Sequence, residues 1–161
     1  MSNILYMAIS TDGFIADEND NTPWSDEEWA AFHTFAETCD VLLLGRRTYE
    51  IMRKHDDFVE GPEYIVVTNN PSLPTDGLAK TSIDGPEDMP EGGRVGIIGG
   101  GELNGRLAKM GVINEMILDI EPITLGKGIR LFGKYDVPLK LELIGSKQIG
   151  EGTIQRHYRV L

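Results

Sequence analysis

Apolar positions fall in five short runs, NILYMAI (3–9), DVLLLG (40–45), EYIVVT (63–68), RVGIIG (94–99) and EMILDIE (115–121), each ending at a turn signal or a polar break. Runs this short and this rich in β-branched residues predict buried strands. Between them, apolar residues recur at helical spacing in SDEEWAAFHTFAETC (25–39), RTYEIMRKH (47–55) and ELNGRLAKM (102–110), with Gly111 as a helix stop. Strands alternating with helices at short range predict parallel pairing in a sheet covered on both faces, because each crossover helix must lie on a face. The pattern then changes. PLKLELIG (138–145) and GTIQRHYRV (152–160) alternate apolar and polar around the turn region GSKQIGEG, which predicts a C-terminal antiparallel hairpin added to the sheet. The Pro/Gly-rich connection 72–93 holds one short strand around Ala79 to Ile83. With no internal repeat, low-complexity tract or dividing linker, the expected architecture is one α/β domain over residues 1–161.

Composition narrows the partners. The 161 residues are 40% hydrophobic, enough for one substantial core, and 15 Lys plus Arg against 26 Asp plus Glu leave a net charge of -11. That charge repels a phosphate backbone and an anionic bilayer alike, so neither nucleic acid nor membrane is an expected partner. The opening MSNILYMAIS lacks the basic region of a signal peptide, and no apolar run approaches the roughly 18 residues of a membrane span, which predicts a cytoplasmic protein. Cys39 stands alone, so no internal disulfide forms, and its place in an apolar helical pattern predicts a buried, inert thiol. His33, His55 and His157 lack ligand spacing, and no metal site is expected.

Chemistry concentrates at two glycine corners. In VGIIGGGELNGRLAKMG (95–111) the glycines do not fit a Rossmann fingerprint, since Asn104 occupies the sixth position, and no Gly-Lys-Ser/Thr follows to make a P-loop. Two readings remain for Gly99, Gly100 and Gly101: a cradle of exposed backbone N–H groups for a pyrophosphate, or a strand-to-helix turn that needs positive φ. VLLLGRRTYE (41–50) repeats the architecture with Arg46, Arg47 and Thr48 at a helix start. Cations there oppose the helix dipole unless an anion lies between them; the alternative is a solvated basic turn with Thr48 as N-cap. Two such corners at the carboxyl ends of strands in one sheet suit a ligand with several phosphates.

The order of MAISTDGFIA (7–16), TPW (22–24), LLGRRTYE (43–50), IVVTNNP (65–71) and IGGGELNGRLAK (98–109) resembles the dihydrofolate reductase superfamily. ITLGKGIRLF (123–132) is similar to the branch containing the reductase domain of the riboflavin-pathway deaminase-reductases. The resemblance implies a three-layer αβα dihydrofolate-reductase-like fold and an NADPH-dependent reductase. It places Gly45, Arg46, Arg47 and Thr48 on one side of the pyrophosphate and Gly99, Gly100 and Gly101 on the other, flanked by Ile98, Glu102 and Leu103. It assigns Ala8, Ile15 and Ala16 to the nicotinamide pocket and Thr68 and Asn69 to the adenine-ribose position. Where relatives often carry an arginine, this chain has Asn69 and Glu102, which leaves NADH as a second cofactor.

Two carboxylates compete for the catalytic role. Glu28 matches the helix acid that dihydrofolate reductases use to bond the pterin edge and assist protonation, and it also completes a capping box with Ser25. Asp12 stands where deaminase-reductases present polar groups to substrate, and it also reads as an Asp-Gly turn. Asp17, Glu18 and Asp20 resemble the family's active-site lid, or form a solvated acidic loop. The expected activity is hydride transfer to a pteridine- or pyrimidine-like heterocycle, nearest to 5-amino-6-(5-phosphoribosylamino)uracil reductase. The alternatives are a dihydrofolate reductase proper and a nucleotide-binding module without turnover. A homodimer joined through sheet or hairpin surfaces is expected.

Overall fold

In the computed structural model, which describes residues 2–161, the chain runs β1 (Ser2–Ser10), β2 (Phe14–Ala16), α1 (Asp26–Glu37), β3 (Val41–Gly45), α2 (Arg46–His55), β4 (Glu63–Val67) and β5 (Lys80–Ser82). It continues with β6 (Arg94–Ile97), α3 (Gly101–Lys109), β7 (Glu115–Glu121), β8 (Ile129–Arg130), β9 (Leu141–Gln148) and β10 (Ile154–Val160). Among the described residues, eight strands form one sheet in the order β5-β4-β3-β6-β1-β7-β10-β9. The strands from β5 to β7 pair in parallel, and β10 joins antiparallel to both β7 and β9.

Alternation along the strands sorts side chains to two faces. Ile4, Tyr6, Leu42, Leu44 and Val66 pack with Phe32, Phe35, Tyr49 and Met52, so α1 and α2 cover one face. Leu5, Val41, Leu43, Ile65 and Val95 pack with Leu103, Leu107 and Ala108, so α3 covers the other. This is the three-layer αβα arrangement, mostly parallel with a C-terminal antiparallel hairpin. Burying each large aliphatic side chain contributes about 1.5–3 kcal/mol, and the two clusters together hold the parallel strands in register.

Several boundaries move for local reasons. β6 stops at Ile97, which leaves Ile98 to Gly100 as a free corner before α3. Gly45, extended at φ -80 and ψ 164, is the N-cap of α2, so Thr48 lies inside the first turn and is not the cap. Gly111 takes φ +71 and closes α3: its N–H reaches Ala108 O at 3.0 Å and that of Val112 reaches Leu107 O at 3.4 Å, a Schellman pattern. The expected 145–152 turn region is shorter, because Ser146, Lys147 and Gln148 pair with Arg156, Gln155 and Ile154. β2 and β8 form a separate antiparallel pair, too short for any periodicity to announce. Cys39 is buried, and among the described residues no helix is long and apolar enough to cross a membrane.

Candidate active site

A cavity of about 610 Å³ opens between α1 and α2 above the carboxyl ends of β1 and β6. β1 contributes Tyr6, Met7 and Ala8, β2 contributes Ile15 and Ala16, and α1 contributes Glu28, Trp29 and Phe32. Arg47, Thr48, Ile51, Met52 and His55 face it from α2, Ile98 to Gly100 from the free corner, and Asp20 to Thr22 with Trp24 from the loop before α1. Parallel pairing of β3, β6 and β1 brings these strand ends together, which is where open α/β sheets build ligand crevices.

The three glycines divide their work. Gly99 has φ +105, and its carbonyl accepts from Gly45 N–H at 2.7 Å, so the two glycine corners are bonded to each other. Gly100 has φ -80, and a Cβ there would meet only Thr48 Oγ1, at 3.5 Å. Its space is open toward the cavity. A Cβ on Gly101 would lie 2.5 Å from Arg130 O and 2.9 Å from Gly133 N, so this glycine permits α3 to pack against the 130–133 backbone. Gly105, one turn on, does the same against Phe132 O at 2.3 Å.

Of the cofactor residues named from the sequence, Ala8, Ile15, Ala16, Arg47, Thr48, Ile98, Gly99 and Gly100 converge on the cavity. The others do not line it. Arg46 is turned out to solvent in an ion pair with Glu50 at 2.9 Å, and the cation of the corner is Arg47, which pairs with Asp20 across the cavity mouth. The reason is helical phase: with α2 starting at Arg46, neighbouring residues point about 100° apart. Gly45 sits behind Gly99, and Leu103 packs in the α3 core. Glu102 accepts from Lys134 N–H at 3.3 Å. Thr68 is buried with its N–H on Ser82 O at 2.8 Å, and Asn69 is exposed; both follow Val67, which pairs with Gly45.

The two candidate acids separate as clearly. Asp12 lies outside the cavity, where its carboxylate accepts from Ser10 Oγ at 2.6 Å, Leu125 N at 3.0 Å and Gly126 N at 2.8 Å. Those bonds, the Ser10 hydroxyl first, hold it below the usual carboxylate range, and they make it the anchor of the 123–126 loop. Glu28 is 4% exposed and faces the cavity. Ser25 Oγ accepts from Glu28 N–H at 3.2 Å, but the Glu28 carboxyl does not bond back, so only half of the capping box forms. Burial, then the neighbouring Asp119 and Glu121, push the Glu28 carboxyl up to about 8.

The model of the RibD C-terminal domain matches residues 87–155. A Shewanella sp. PV-4 protein assigned to riboflavin biosynthesis superposes with a TM-score of 0.81 at 26% identity, covering 100% of this chain and 99% of that one. The uncharacterised protein YwjB of Bacillus subtilis (strain 168) is 32% identical over 167 residues, covering 96% of this chain and 95% of YwjB. The chain belongs to the same family as YwjB, and its residues 87–155 carry the RibD C-terminal domain. The dihydrofolate reductase of Enterococcus faecalis has the same fold, with a TM-score of 0.75 at 20% identity over 99% of this chain and 96% of that one.

In and behind the cavity wall lie buried polar residues that the sequence reading passed over. Tyr6 lines the cavity and donates its hydroxyl to Asp119, which is fully buried and also accepts from Gln155 Nε2 at 2.9 Å. Glu121, 4% exposed, accepts from Ser25 Oγ at 2.7 Å and Thr153 Oγ1 at 3.2 Å. The signal was present in EMILDIE: Asp119 and Glu121, spaced i, i+2, share one face of a strand whose residues 116–118 and 120 are apolar, an arrangement that needs hydrogen-bonding partners.

Proposed function

We propose that the protein is an NADPH-dependent reductase of a pteridine- or pyrimidine-like heterocycle, with 5-amino-6-(5-phosphoribosylamino)uracil reductase as the nearest named activity. The observation that carries this reading is that one cavity brings together an open glycine corner, a helix N-terminus bearing Arg47 and Thr48, and a buried acid with no partner. The corner fits a pyrophosphate because the volume that a Gly100 side chain would fill is bounded only by Thr48 Oγ1. Gly99, Gly100, Arg47 and Thr48 would hold the phosphates, with Gly45 fixing Gly99 from behind. Ala8, Ile15 and Ala16 would bound the ring, and Thr68 and Asn69, beside Gly45 at the next strand end, the adenosine half. When bound, a reduced nicotinamide supplies the hydride.

The chain's own groups do the rest. Arg47 exchanges Asp20 for a phosphate oxygen. Trp24, Trp29 and Phe32 line the cavity with aromatic surface, Trp29 edge-on to Phe32 at 81°, against which a planar ring packs and from which it displaces water. Glu28, in its acid form at neutral pH, holds a proton for a ring nitrogen. The test is loss of reduced-nicotinamide absorbance with a panel of dihydropterins and aminopyrimidines. Turnover on one of them supports the reading, whereas NADPH binding without oxidation across the panel replaces it with a nucleotide-binding module.

Because no Arg or Lys stands at Asn69 or Glu102, NADPH is expected to bind only about tenfold tighter than NADH, ~1.4 kcal/mol. Fluorescence titration of both cofactors checks this, and equal affinities contradict it. β9 is a sheet edge with Leu143 53% and Ile144 39% exposed at a bulge opposite His157 and Tyr158, which supports a homodimer through the hairpin. Sedimentation at micromolar concentration is expected to give twice the 17.8 kDa chain mass; a single-chain species contradicts it. A buried lone thiol and an acidic surface suit the cytoplasm.

A further inference from the structure

Three carboxylates are buried together beneath α1: Glu28 is 4% exposed, Asp119 0% and Glu121 4%. Their support is unequal. Asp119 accepts on both oxygens, Oδ2 from the Tyr6 hydroxyl and Oδ1 from Gln155 Nε2. Glu121 accepts two hydroxyls on Oε1, from Ser25 and Thr153. The Glu28 side chain has no hydrogen-bond donor at all. Every donor in the group is neutral, and among the described residues no cation bonds to any of the three; Lys147 of β9 acts on Asp119 only through space.

Three neighbouring buried carboxyl groups do not readily all ionise, and a proton stays where the anion is least supported. Burial pushes the Asp119 carboxyl up, but its two donors, Tyr6 and Gln155, act the other way, and Glu121 also accepts from two donors. No donor favours the anion at Glu28. The groups acting on Glu28 from the packed elements are Tyr6 of β1 and Asp119 and Glu121 of β7, with Gln155 of β10 bonded to Asp119, and Asp20, Arg47, His55 and Asp57 lie around the cavity. Arg47 is occupied by Asp20, so it does not compensate the cluster.

We infer that Asp119 and Glu121 are positioning residues for the proton on Glu28: buried carboxyl groups behind the cavity wall, each holding hydrogen-bond donors that Glu28 lacks, which leave Glu28 as the group that carries the proton toward the substrate. Tyr6 and Gln155 belong to the same device, because the bonds they donate to Asp119 weaken its hold on a proton. The use of that proton in catalysis rests on the reductase reading; its placement on Glu28 does not. In a reduction, Glu28 would give its proton to a ring nitrogen of the substrate, a bound reduced nicotinamide would supply the hydride for the adjoining carbon, and solvent would return a proton to the Glu28 carboxylate.

The experiment is a carboxyl-carbon NMR titration of glutamate-labelled protein, with the Glu28 resonance identified by its loss in Glu28→Gln. The wild-type midpoint is expected at about 8. Asp119→Asn should lower it by about one unit or more, a tenfold loss of proton affinity, and Glu121→Gln should lower it by less. Tyr6→Phe keeps all three carboxylates and removes the donor to Asp119, so it should lower the midpoint too, which covers a failure of Asp119→Asn to fold. A merely structural role would not move a titration midpoint in variants that still melt cooperatively. Midpoints unchanged in all folded variants, or a wild-type Glu28 titrating in the ordinary carboxylate range, overturn the inference. NADPH titration of the same wild-type sample separates the two readings. Shifted midpoints without NADPH binding support the proton placement and overturn the reductase reading, while unshifted midpoints with NADPH bound overturn the positioning role alone.

Discussion

Glu28→Gln is expected to stabilise the protein at pH 8 and to abolish reduction while NADPH still binds. The folded state raises this carboxyl from its ordinary 4.5 to about 8. Between those values the native state holds a proton that the unfolded chain has released, so stability falls as pH rises through that window. Each unit is worth about 1.4 kcal/mol, and the penalty at pH 8 is on the order of 4 kcal/mol. Glutamine removes the titration but keeps an unpaired buried amide, which offsets part of the gain. A net stabilisation of about 2–3 kcal/mol at pH 8 is expected, shrinking to nothing near pH 5. Paired thermal melts across that range check it. A gap that stays constant with pH would mean that Glu28 is not the group carrying the proton.

The second large effect separates adjacent glycines. Gly101→Ala drives a methyl to 2.5 Å from Arg130 O, a backbone atom that cannot swing aside, so a loss of about 3 kcal/mol or more of stability is expected. Gly100→Ala meets only Thr48 Oγ1 at 3.5 Å with φ at -80, and stability should change by no more than ~1 kcal/mol. Its methyl occupies the phosphate's space. NADPH affinity should therefore fall about a hundredfold, ~2.7 kcal/mol. Melts and cofactor titrations on both variants decide it. If Gly100→Ala binds like the parent, the corner turns the chain and holds no phosphate.

The parallel strands were legible because strands buried on both faces read as continuous apolar runs, and α1 to α3 because each keeps an apolar stripe. β2 and β8 were not legible, since three and two residues carry no period. The site was legible in part. Which of Arg46 and Arg47 faces the cavity depends on the residue at which α2 begins, a phase that one position inverts. Gly101 resembles Gly100 in sequence and differs only in what lies above it, a backbone segment about thirty residues downstream that local pattern does not contain. Asp12 behaved likewise: its turn is local, but the amides that claim its carboxylate come from Leu125 and Gly126. That Glu28 faces inward while its neighbour Trp29 is turned outward shows only in burial, with Glu28 at 4% and Trp29 at 36% exposure.

Amide chemical-shift mapping during an NADPH titration tests most directly whether this cavity is a nicotinamide dinucleotide site. Saturable shifts are expected at Gly99, Gly100, Arg47 and Thr48, and at Ala8, Ile15 and Ala16, with Asp20 shifting as its pairing with Arg47 breaks. Shifts confined to the separate hollow around Arg130 to Pro138, or no saturable shift anywhere, would contradict it.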